Sequence, residues 1–560
     1  MERGIGMRGI QVFLDSLRAH GVNSIFGNPG TTENPLLDNL ADYPDLNYYV
    51  ALHEGVAVGA ASFYAQASGI TGVASLHVAP GLGNAIGMMY GALKANSPII
   101  VTAGQQDSRM NHRAPILGHD LVGMATSVTK WSVQPRSADE ISETMREAFR
   151  IANEPPMGPV FVALPINVME QETALAATVS GNLYLNHDAA PQGIAAITDL
   201  LLGASNPAII VGDDVAVTDA CAQMVQLAET IGASVFHEGL QAQISFPSRH
   251  PNNKGRIAFE VGNMRRQLGG FDLILLTDGS FFEEIWFDEG SPVSEETKIV
   301  QIGNSVKGLA DRVPLYMGVL GNLPSTVEKI LSGLGDKVSD EFSVAAAARN
   351  ADLKSAWEEL SAARRGSLER QWDADPMTPA RALHEIAEVV PDDVVIVDES
   401  ITASIEVGLG FNFEVPGDYF GGRGGGIGQG LAGVIGVKVA CPDRPVIAIS
   451  GDGSAMYSIQ ALWTAVHHQL PIVFVILSNR EYRVLKHNLD TYRQRFNVQS
   501  NRPYPYMDLT SPTLSFIDMA RGMGLEGICV ENAEEVGAAV QNGLASGNPY
   551  LVEVVVSGKV

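Results

Sequence analysis

Cysteine is scarce in this 560-residue sequence, which contains three: Cys221, Cys441 and Cys529. They are far apart and odd in number, so they fit buried thiols better than a disulfide framework or a zinc site. This usage favours a reducing cytoplasm as the compartment. The fold is expected to be stabilised by hydrophobic cores, because neither disulfide cross-links nor structural zinc sites are expected.

Positive charge is scarce as well, with 37 lysines and arginines against 63 aspartates and glutamates and a formal net charge of −26. Such a surface repels nucleic-acid phosphates and anionic bilayers, and no basic block offsets it. Long apolar runs are missing too: segments such as 471–477 are too short to span a bilayer, and the N-terminus lacks the apolar core of a signal peptide. We therefore expect a soluble protein without a nucleic-acid or membrane partner.

Short apolar runs alternate with helical patterns along most of the chain, which predicts parallel sheets covered by helices on both faces. A polar stretch, 170–193, and a charged, alanine-rich stretch, 339–375, are expected to separate the domains. The fold class is thus α/β, with three doubly wound parallel-sheet domains predicted at 1–180, 190–338 and 376–560. The predicted strands are 24–26, 46–51, 72–76, 97–102, 159–164, 206–212, 271–276, 298–302, 393–397, 445–449, 472–476 and 550–555.

A tight turn, Gly451-Asp452-Gly453, directly follows one of these strands. Ligands of parallel sheets bind beyond the carboxyl ends of the strands, where this turn lies. The next residues, 454–465, are predicted to form one helix, whose unpaired first N–H groups favour a phosphate. Asp452 and Asn479, at the ends of two successive strands, could supply hard oxygen ligands to Mg²⁺. A capping aspartate in an ordinary strand-exit turn is the alternative interpretation.

The whole segment 451–482 resembles the signature of thiamine-diphosphate enzymes: a GDG turn, a helix, a strand and then an asparagine. Three N-terminal segments resemble the motifs with which that family holds the pyrimidine of its cofactor. They are Phe26-Gly-Asn-Pro-Gly-Thr-Thr-Glu33, Leu52-His-Glu-Gly55 and Leu76-His-Val-Ala-Pro-Gly-Leu-Gly-Asn84. The resemblance spans essentially the whole chain and is strongest to benzoylformate decarboxylases, in the branch that includes acetolactate synthases. It implies a pyruvate decarboxylase-like architecture that binds thiamine diphosphate and Mg²⁺.

The resemblance assigns the family's activating glutamate to Glu54. A protonated carboxyl there, kept neutral by burial, would hydrogen-bond a pyrimidine ring nitrogen and favour the imino form that removes the thiazolium C2 proton. Ile427 matches the apolar residue that props the two cofactor rings into contact, with a packed core isoleucine as the alternative. The metal ligands implied are Asp452, Asn479 and the backbone carbonyl of Glu481. The other cofactor-contacting residues implied are Asn28, Pro29, Asn84, Ser400, Thr402, Gly425, Gly451, Gly453, Ser454 and Tyr482.

His77 matches an active-site histidine of benzoylformate decarboxylases, where it could protonate the alkoxide or enamine; a structural histidine is the alternative. Thr31 falls where those enzymes have a hydroxyl that contacts the substrate carboxylate. Their second histidine has no counterpart in the matching region, 280–288. His112 and His119 are candidate substitutes for it, with surface histidines as the alternative.

The chain departs from the family after Asn479, where a small residue is common and this sequence has Arg480. Together with Arg423, Arg483 and Lys486, this arginine indicates a substrate with a second anionic group. A basic, exposed helix is the alternative interpretation of the same residues, and the sequence favours it over the anionic substrate group.

We expect a nonoxidative decarboxylase that converts a small 2-oxo acid, aromatic or bulky, to an aldehyde and CO₂. An acetolactate-synthase-like carboligase is the main alternative, although Ile116 and Leu117 lie where those synthases have a catalytic glutamine. A catalytically silent subunit is a third alternative, disfavoured by the catalytic and metal-binding motifs. The resemblance also implies a homo-oligomer, a tetramer built as a dimer of dimers, in which Glu54 of one subunit serves a cofactor held by another.

Overall fold

The computed structural model of the chain describes residues 6–181 and 187–558, which separate into two compact units. The first contains the described residues of Met1–Asn182, Ala374–Val407 and Gly422–Val560, and the second those of Leu183–Asp373 and Gly408–Gly421. Three six-stranded parallel sheets flanked by helices form the fold, which confirms the predicted class. The domain boundaries 1–180, 190–338 and 376–560 stay a prediction.

The N-terminal sheet has entirely buried inner strands, such as Gly72–Leu76 and Val160–Pro165, because helices cover both of its faces. A separate antiparallel pair joins Met7–Arg8 to Glu172–Thr173, so the stretch 170–193 is not simply a linker. The strand order is Asn47–Val50, Ser24–Gly27, Gly72–Leu76, Ile99–Gln105, Val160–Pro165 and Trp131–Val133. The main helices here are Gly9–Ala19, Asn34–Asn39, Glu54–Ser68, Val78–Lys94, Leu121–Ala125, Ile141–Asn153 and Ile166–Glu170.

The sheet of the second unit is doubly wound, with its first strand in chain order, Pro207–Val211, at the centre. The segment 339–375, expected to separate two domains, is largely a 31-residue helix, Asp340–Arg370, in which Ala346 is buried. The strand order is Asn253–Arg256, Ser234–His237, Pro207–Val211, Leu273–Leu276, Lys298–Gly303 and Met317–Leu320. The helices are Pro191–Gly203, Asp214–Val217, Cys221–Ile231, Val261–Leu268, Leu323–Lys337 and Asp340–Arg370.

The C-terminal sheet carries the GDG turn at the end of Val446–Gly451, one of its central strands. Among the described residues, no helix has the length and apolar character needed to cross a membrane. The strand order is Tyr419–Gly421, Val395–Glu399, Val446–Gly451, Ile472–Ser478, Tyr550–Val555 and Glu526–Val530. The helices are Pro379–Ala387, Ser404–Gly410, Gln429–Ala440, Asp452–Ala455, Ala461–His467, Arg483–Arg495, Phe516–Gly522 and Ala533–Ala545.

Candidate active site

Glu54 is the first residue of the helix Glu54–Ser68 and is 6 % exposed. The Nδ2 amide of Asn28 donates to its Oε1 at 3.1 Å, and the Nδ2 amide of Asn84 donates to its Oε2 at 3.0 Å. Asn28 follows a strand of the N-terminal sheet, and Asn84 lies in the helix Val78–Lys94. The structure therefore brings three of the predicted site residues into one hydrogen-bonded group.

The backbone of Gly81 lies close to the Glu54 carboxyl. A Cβ atom added at Gly81 would lie 3.0 Å from Glu54 Oε1 and 3.4 Å from Cδ. Even the methyl group of an alanine at this position would lie closer to the carboxyl than the ordinary van der Waals distance. The position of the Glu54 carboxyl is thus set by two amides and by the absence of a side chain on the neighbouring helix.

His77 follows the strand Gly72–Leu76 and precedes the helix Val78–Lys94. Its Nδ1 lies 2.8 Å from Oε2 of Glu33, a carboxylate whose side chain is 3 % exposed. Glu33 Oε1 accepts hydrogen bonds from the Gly104 N–H at 2.8 Å and from the Thr32 hydroxyl at 2.9 Å. Burial raises the pKa of Glu33, while the hydrogen bond with His77 and those from Thr32 and Gly104 act in the opposite direction. Sequence reasoning assigned no role to Glu33.

The loop that carries Asn28, Pro29 and Thr31 lies against His77. A Cβ atom at Gly30 would be 2.0 Å from His77 Nδ1, so this position requires glycine. Thr31 begins a 3₁₀ turn, Thr31–Glu33, and its side chain is exposed. The predicted substrate-contacting hydroxyl is therefore on the accessible side of the loop.

Asp452 lies at the start of the short helix Asp452–Ala455 and is 3 % exposed. Its Oδ1 accepts the Gly453 N–H at 2.7 Å, and its Oδ2 accepts the Arg480 N–H at 2.5 Å. Asn479 Oδ1 accepts the Glu481 N–H at 3.0 Å. Because the two strands before these residues are parallel neighbours, with Gly451 opposite Leu477, their ends meet as predicted. Burial raises the pKa of Asp452 to about 6.

The prediction of one helix over 454–465 is wrong. The first helix ends at Ala455 and the next, Ala461–His467, begins six residues later. Between them the Tyr457 N–H bonds to the Ser454 carbonyl, and the Ser458 hydroxyl donates to the Gly428 carbonyl at 2.7 Å. This tertiary hydrogen bond ties the chain to the glycine-rich loop and interrupts the helix.

Tyr482 packs against the GDG turn, and Glu481 forms an ion pair next to it. A Cβ atom at Gly453 would be 2.5 Å from the Tyr482 ring, so the ring packs directly on the turn. The Glu481 carboxylate pairs with Lys486, which also bonds Asp508 at 2.6 Å. The charge of Lys486 is therefore neutralised within the protein, which removes it from the group considered for a second anionic substrate group.

The glycine-rich loop before the helix Gln429–Ala440 has left-handed backbone at Gly424, Gly425 and Gly428, with φ of 75°, 73° and 96°. Ile427 is partly exposed on this loop. The buried Glu399 carboxylate anchors its end, accepting N–H groups of Gln429 at 2.8 Å and of the next residue at 3.0 Å. Glu399 had no predicted role, and its burial raises its pKa to about 8.

Ser400 and Thr402 follow Glu399 but differ in their accessibility. Ser400 is buried, and its hydroxyl donates to Asp398 Oδ1 at 2.6 Å. Thr402 is partly exposed. Of the two predicted diphosphate contacts, Thr402 is therefore the better placed, whereas Ser400 supports the strand end.

The N- and C-terminal parts of the first unit pack through two glycine-containing helices. A Cβ atom at Gly436 would be 1.9 Å from the Ala60 carbonyl, and one at Gly433 would be 2.5 Å from the Phe63 ring. The Val50 N–H also donates to His468 Nε2 at 2.7 Å. This close packing fixes the helix that Glu54 begins to the part of the chain that carries the GDG turn.

Three family models match the chain. They are the N-terminal TPP binding domain of thiamine pyrophosphate enzymes at residues 7–126, the central domain at 194–330 and the C-terminal TPP binding domain at 404–554. The chain belongs to the thiamine pyrophosphate enzyme family. Benzoylformate decarboxylase of Pseudomonas aeruginosa is 32 % identical over 96 % of this chain and 97 % of its own. Acetolactate synthase large subunit of Haemophilus influenzae is 22 % identical over 97 % of this chain and 93 % of its own.

Among solved structures, the chain is similar to a thiamine diphosphate-dependent 4-hydroxybenzoylformate decarboxylase of Rhodococcus jostii RHA1. The TM-score is 0.85 and the identity 27 %, over 98 % of this chain and 99 % of the other. The two groups described above, around Glu54 and around Asp452, thus lie in the two TPP binding domains of this thiamine pyrophosphate enzyme.

The residues at the GDG turn fit a magnesium ion. Asp452, Asn479 and Glu481 can offer a carboxylate, an amide and a backbone carbonyl oxygen, and hard oxygen donors are what Mg²⁺ prefers. No group of three or more histidine, cysteine or acidic side chains gathers within 6–181 and 187–558, so an ion here would depend on amide, carbonyl and phosphate oxygens.

The candidate substitutes for the second active-site histidine, His112 and His119, are both exposed.

Proposed function

We propose that this thiamine pyrophosphate enzyme is a Mg²⁺-dependent, nonoxidative 2-oxo-acid decarboxylase that releases an aldehyde and CO₂. The observation that carries the proposal is the pairing of His77 with buried Glu33 beside the loop that reaches Glu54 through Asn28. A proton-transferring histidine that lies against the same loop as the activating glutamate suits a reaction that ends in protonation of the product carbon. The similarity to benzoylformate decarboxylase supports the same reaction.

Bound thiamine diphosphate would supply the carbon nucleophile and the electron sink for decarboxylation. Glu54 would hydrogen-bond its pyrimidine ring, with the carboxyl held by Asn28 and Asn84. Asp452, Asn479 and the Glu481 carbonyl would hold Mg²⁺. The backbone of Gly453 and Ser454 would lie at the diphosphate, with the Gly453 N–H already bonded to Asp452 Oδ1. The remaining proposed contacts are those of Pro29, Thr402, Gly425, Ile427, Gly451 and Tyr482, with Ser400 in support.

His77 would exchange a proton with the substrate at Nε2, since Nδ1 is engaged by Glu33. The exposed hydroxyl of Thr31 would donate to the substrate carboxylate. The cytoplasmic location stays a prediction from the cysteine content. The three cysteines are free thiols in the structure, but Cys441 is half-buried and Cys529 is exposed, so the expectation of buried thiols is wrong for these two. The tetrameric assembly likewise stays a prediction.

A carboligase is the second candidate function, because an acetolactate synthase is among the relatives. In that reaction the same activated carbon would attack a second carbonyl compound. Ile116, which lies where those synthases have a catalytic glutamine, is 83 % exposed on a loop. An apolar side chain there cannot provide the glutamine's hydrogen bonds, so we favour the decarboxylase.

The test is a screen of aromatic, branched and short 2-oxo acids with thiamine diphosphate and Mg²⁺, in which CO₂ and carbon products are measured together. The Glu54→Gln protein is the matched control for background decarboxylation. Aldehyde formed in equal amount to CO₂ is the expected result. A hydroxyketone as the main product would support the carboligase, and no turnover of any 2-oxo acid would contradict both.

A further inference from the structure

The two carboxylate oxygens of Glu33 have different partners. Oε1 accepts the Gly104 N–H at 2.8 Å and the Thr32 hydroxyl at 2.9 Å, while Oε2 lies 2.8 Å from His77 Nδ1. A backbone N–H can only donate, so the atom at the Oε1 position must be an acceptor. The atom that faces His77 Nδ1 is therefore always the one at the Oε2 position.

The Gly104 N–H and the Thr32 hydroxyl favour the role of Glu33 as an acceptor, whereas its burial acts against the ionised form. Its side chain is 3 % exposed, whereas that of His77 is 23 % exposed. Behind the carboxylate lies a cavity of about 20 Å³ lined in part by Thr32, Ser75 and Thr102. The rest of its lining is largely apolar, and it has room for about one water molecule.

We propose that Glu33 is a positioning residue that holds neutral His77 as the tautomer with hydrogen on Nδ1, so that the lone pair of Nε2 faces the substrate. This proposal rests on the role of His77 in the proposed function. A carboxylate next to one ring nitrogen of a neutral histidine accepts a hydrogen bond from it. That nitrogen then carries the hydrogen, and the other ring nitrogen keeps a free lone pair. The exposed part of the imidazole is then a proton acceptor in its neutral form and a donor after protonation.

The substitution Glu33→Gln tests the proposal because it changes the tautomer with little change of shape. The Gly104 N–H requires the amide oxygen of glutamine at the Oε1 position, which places the NH₂ group against His77 Nδ1. The amide would donate to Nδ1 and force the hydrogen of the neutral ring onto Nε2. An equivalent replacement of a carboxylate by an amide in a serine protease lowers turnover by a similar mechanism.

The direct readout is carbethoxylation of His77 by diethyl pyrocarbonate, which reacts with an unprotonated ring nitrogen. It is measured by peptide mass spectrometry on the full-length protein without substrate, with exposed His112 and His119 as internal references. We expect the His77 rate in Glu33→Gln to fall at least about tenfold relative to these references. Turnover should fall about 100-fold, the typical contribution of a positioned acid or base, with cofactor binding unchanged.

Glu33→Asp is the second variant, since it keeps a carboxylate that only accepts. It should retain much of the His77 carbethoxylation, whatever its effect on packing. A normal His77 rate in Glu33→Gln, or an equal loss in both variants, would overturn the proposal. Loss of carbethoxylation in Glu33→Gln with wild-type decarboxylation would support the positioning role and contradict the catalytic role of His77 instead.

Discussion

The contact between Gly81 and Glu54 predicts that a single methyl group will impair the site without unfolding the protein. In Gly81→Ala the added Cβ would lie 3.0 Å from Glu54 Oε1, so the carboxyl must move by about 0.4 Å or more to reach ordinary contact. Misplacement of a reacting group by 1 Å can cost about 100-fold in rate. We therefore expect C2 proton exchange of bound thiamine diphosphate to slow by about 10- to 100-fold.

The stability of the same variant should change little, because two effects oppose each other. Alanine favours a helix interior over glycine by about 1 kcal/mol, while overpacking costs about 1 to 3 kcal/mol. Gly87→Ala is the matched control, since it lies on the same helix and a Cβ atom there would meet nothing within 4 Å. It should gain up to about 1 kcal/mol of stability and keep its exchange rate.

The assay is acid-quenched hydrogen–deuterium exchange at C2, followed by proton NMR, on proteins saturated with cofactor and matched in oligomeric state. Urea unfolding measures the stability of both variants. A wild-type exchange rate in Gly81→Ala, with the cofactor bound, would refute the inference that the Glu54 carboxyl must keep its position. Equal slowing in Gly81→Ala and Gly87→Ala would refute the specific contact.

Three further predictions concern the carboxyl groups of the site. Glu54→Gln should keep the fold and much of the cofactor affinity but lower turnover by orders of magnitude in a CO₂-release assay; near-normal turnover would remove Glu54 from catalysis. Asp452→Ala should lose Mg²⁺-dependent cofactor binding in calorimetric titrations, and an unchanged titration would remove it from the metal site. Burial raises the pKa of Glu399 from 4.5 to about 8, so its contribution to stability is complete below pH 4.5 and is lost as the pH rises through 8. The free energy of unfolding, measured with urea, should fall from pH 5 to pH 9, and the fall should be smaller in Glu399→Gln than in the wild type. An equal fall in both proteins would show that Glu399 is not its cause.

The fold could be predicted largely from the apolar runs of the sequence. The strands Gly72–Leu76 and Tyr550–Val555 have the predicted bounds because a buried parallel strand is apolar along its whole length. The helix Asp340–Arg370 was not predicted as such. With Ala346 as its buried residue, it lacks the apolar stripe by which most helices are found. The break after Ala455 depends on a hydrogen bond between Ser458 and Gly428, 30 residues apart, which no local pattern contains.

Asp452 and Asn479 could be placed together from the ends of two neighbouring strands. The rest of the site could be predicted only through resemblance to a family, since its residues come from distant parts of the chain. Asn28 and Asn84 meet Glu54 from two other elements, and an asparagine carries no periodic signal of its own. Glu33 was missed for the same reason, because an isolated glutamate is usually exposed and its partner, His77, lies 44 residues away. Its place at the end of the quoted motif Phe26–Glu33 was the signal that could have identified it.

We infer that Glu54 of one subunit and Asp452 of another act on the same cofactor, and complementation between two variants distinguishes this arrangement from sites contained within one chain. Each carboxylate bonds its own neighbours within the chain, Glu54 to Asn28 and Asn84 and Asp452 to the backbone of Gly453 and Arg480. If sites are shared between subunits, coexpressed Glu54→Gln and Asp452→Ala chains regenerate some complete sites in mixed oligomers. We predict decarboxylase activity in purified mixed oligomers well above that of either parent. Activity no higher than the parents, with subunit exchange and cofactor supply verified, would contradict it.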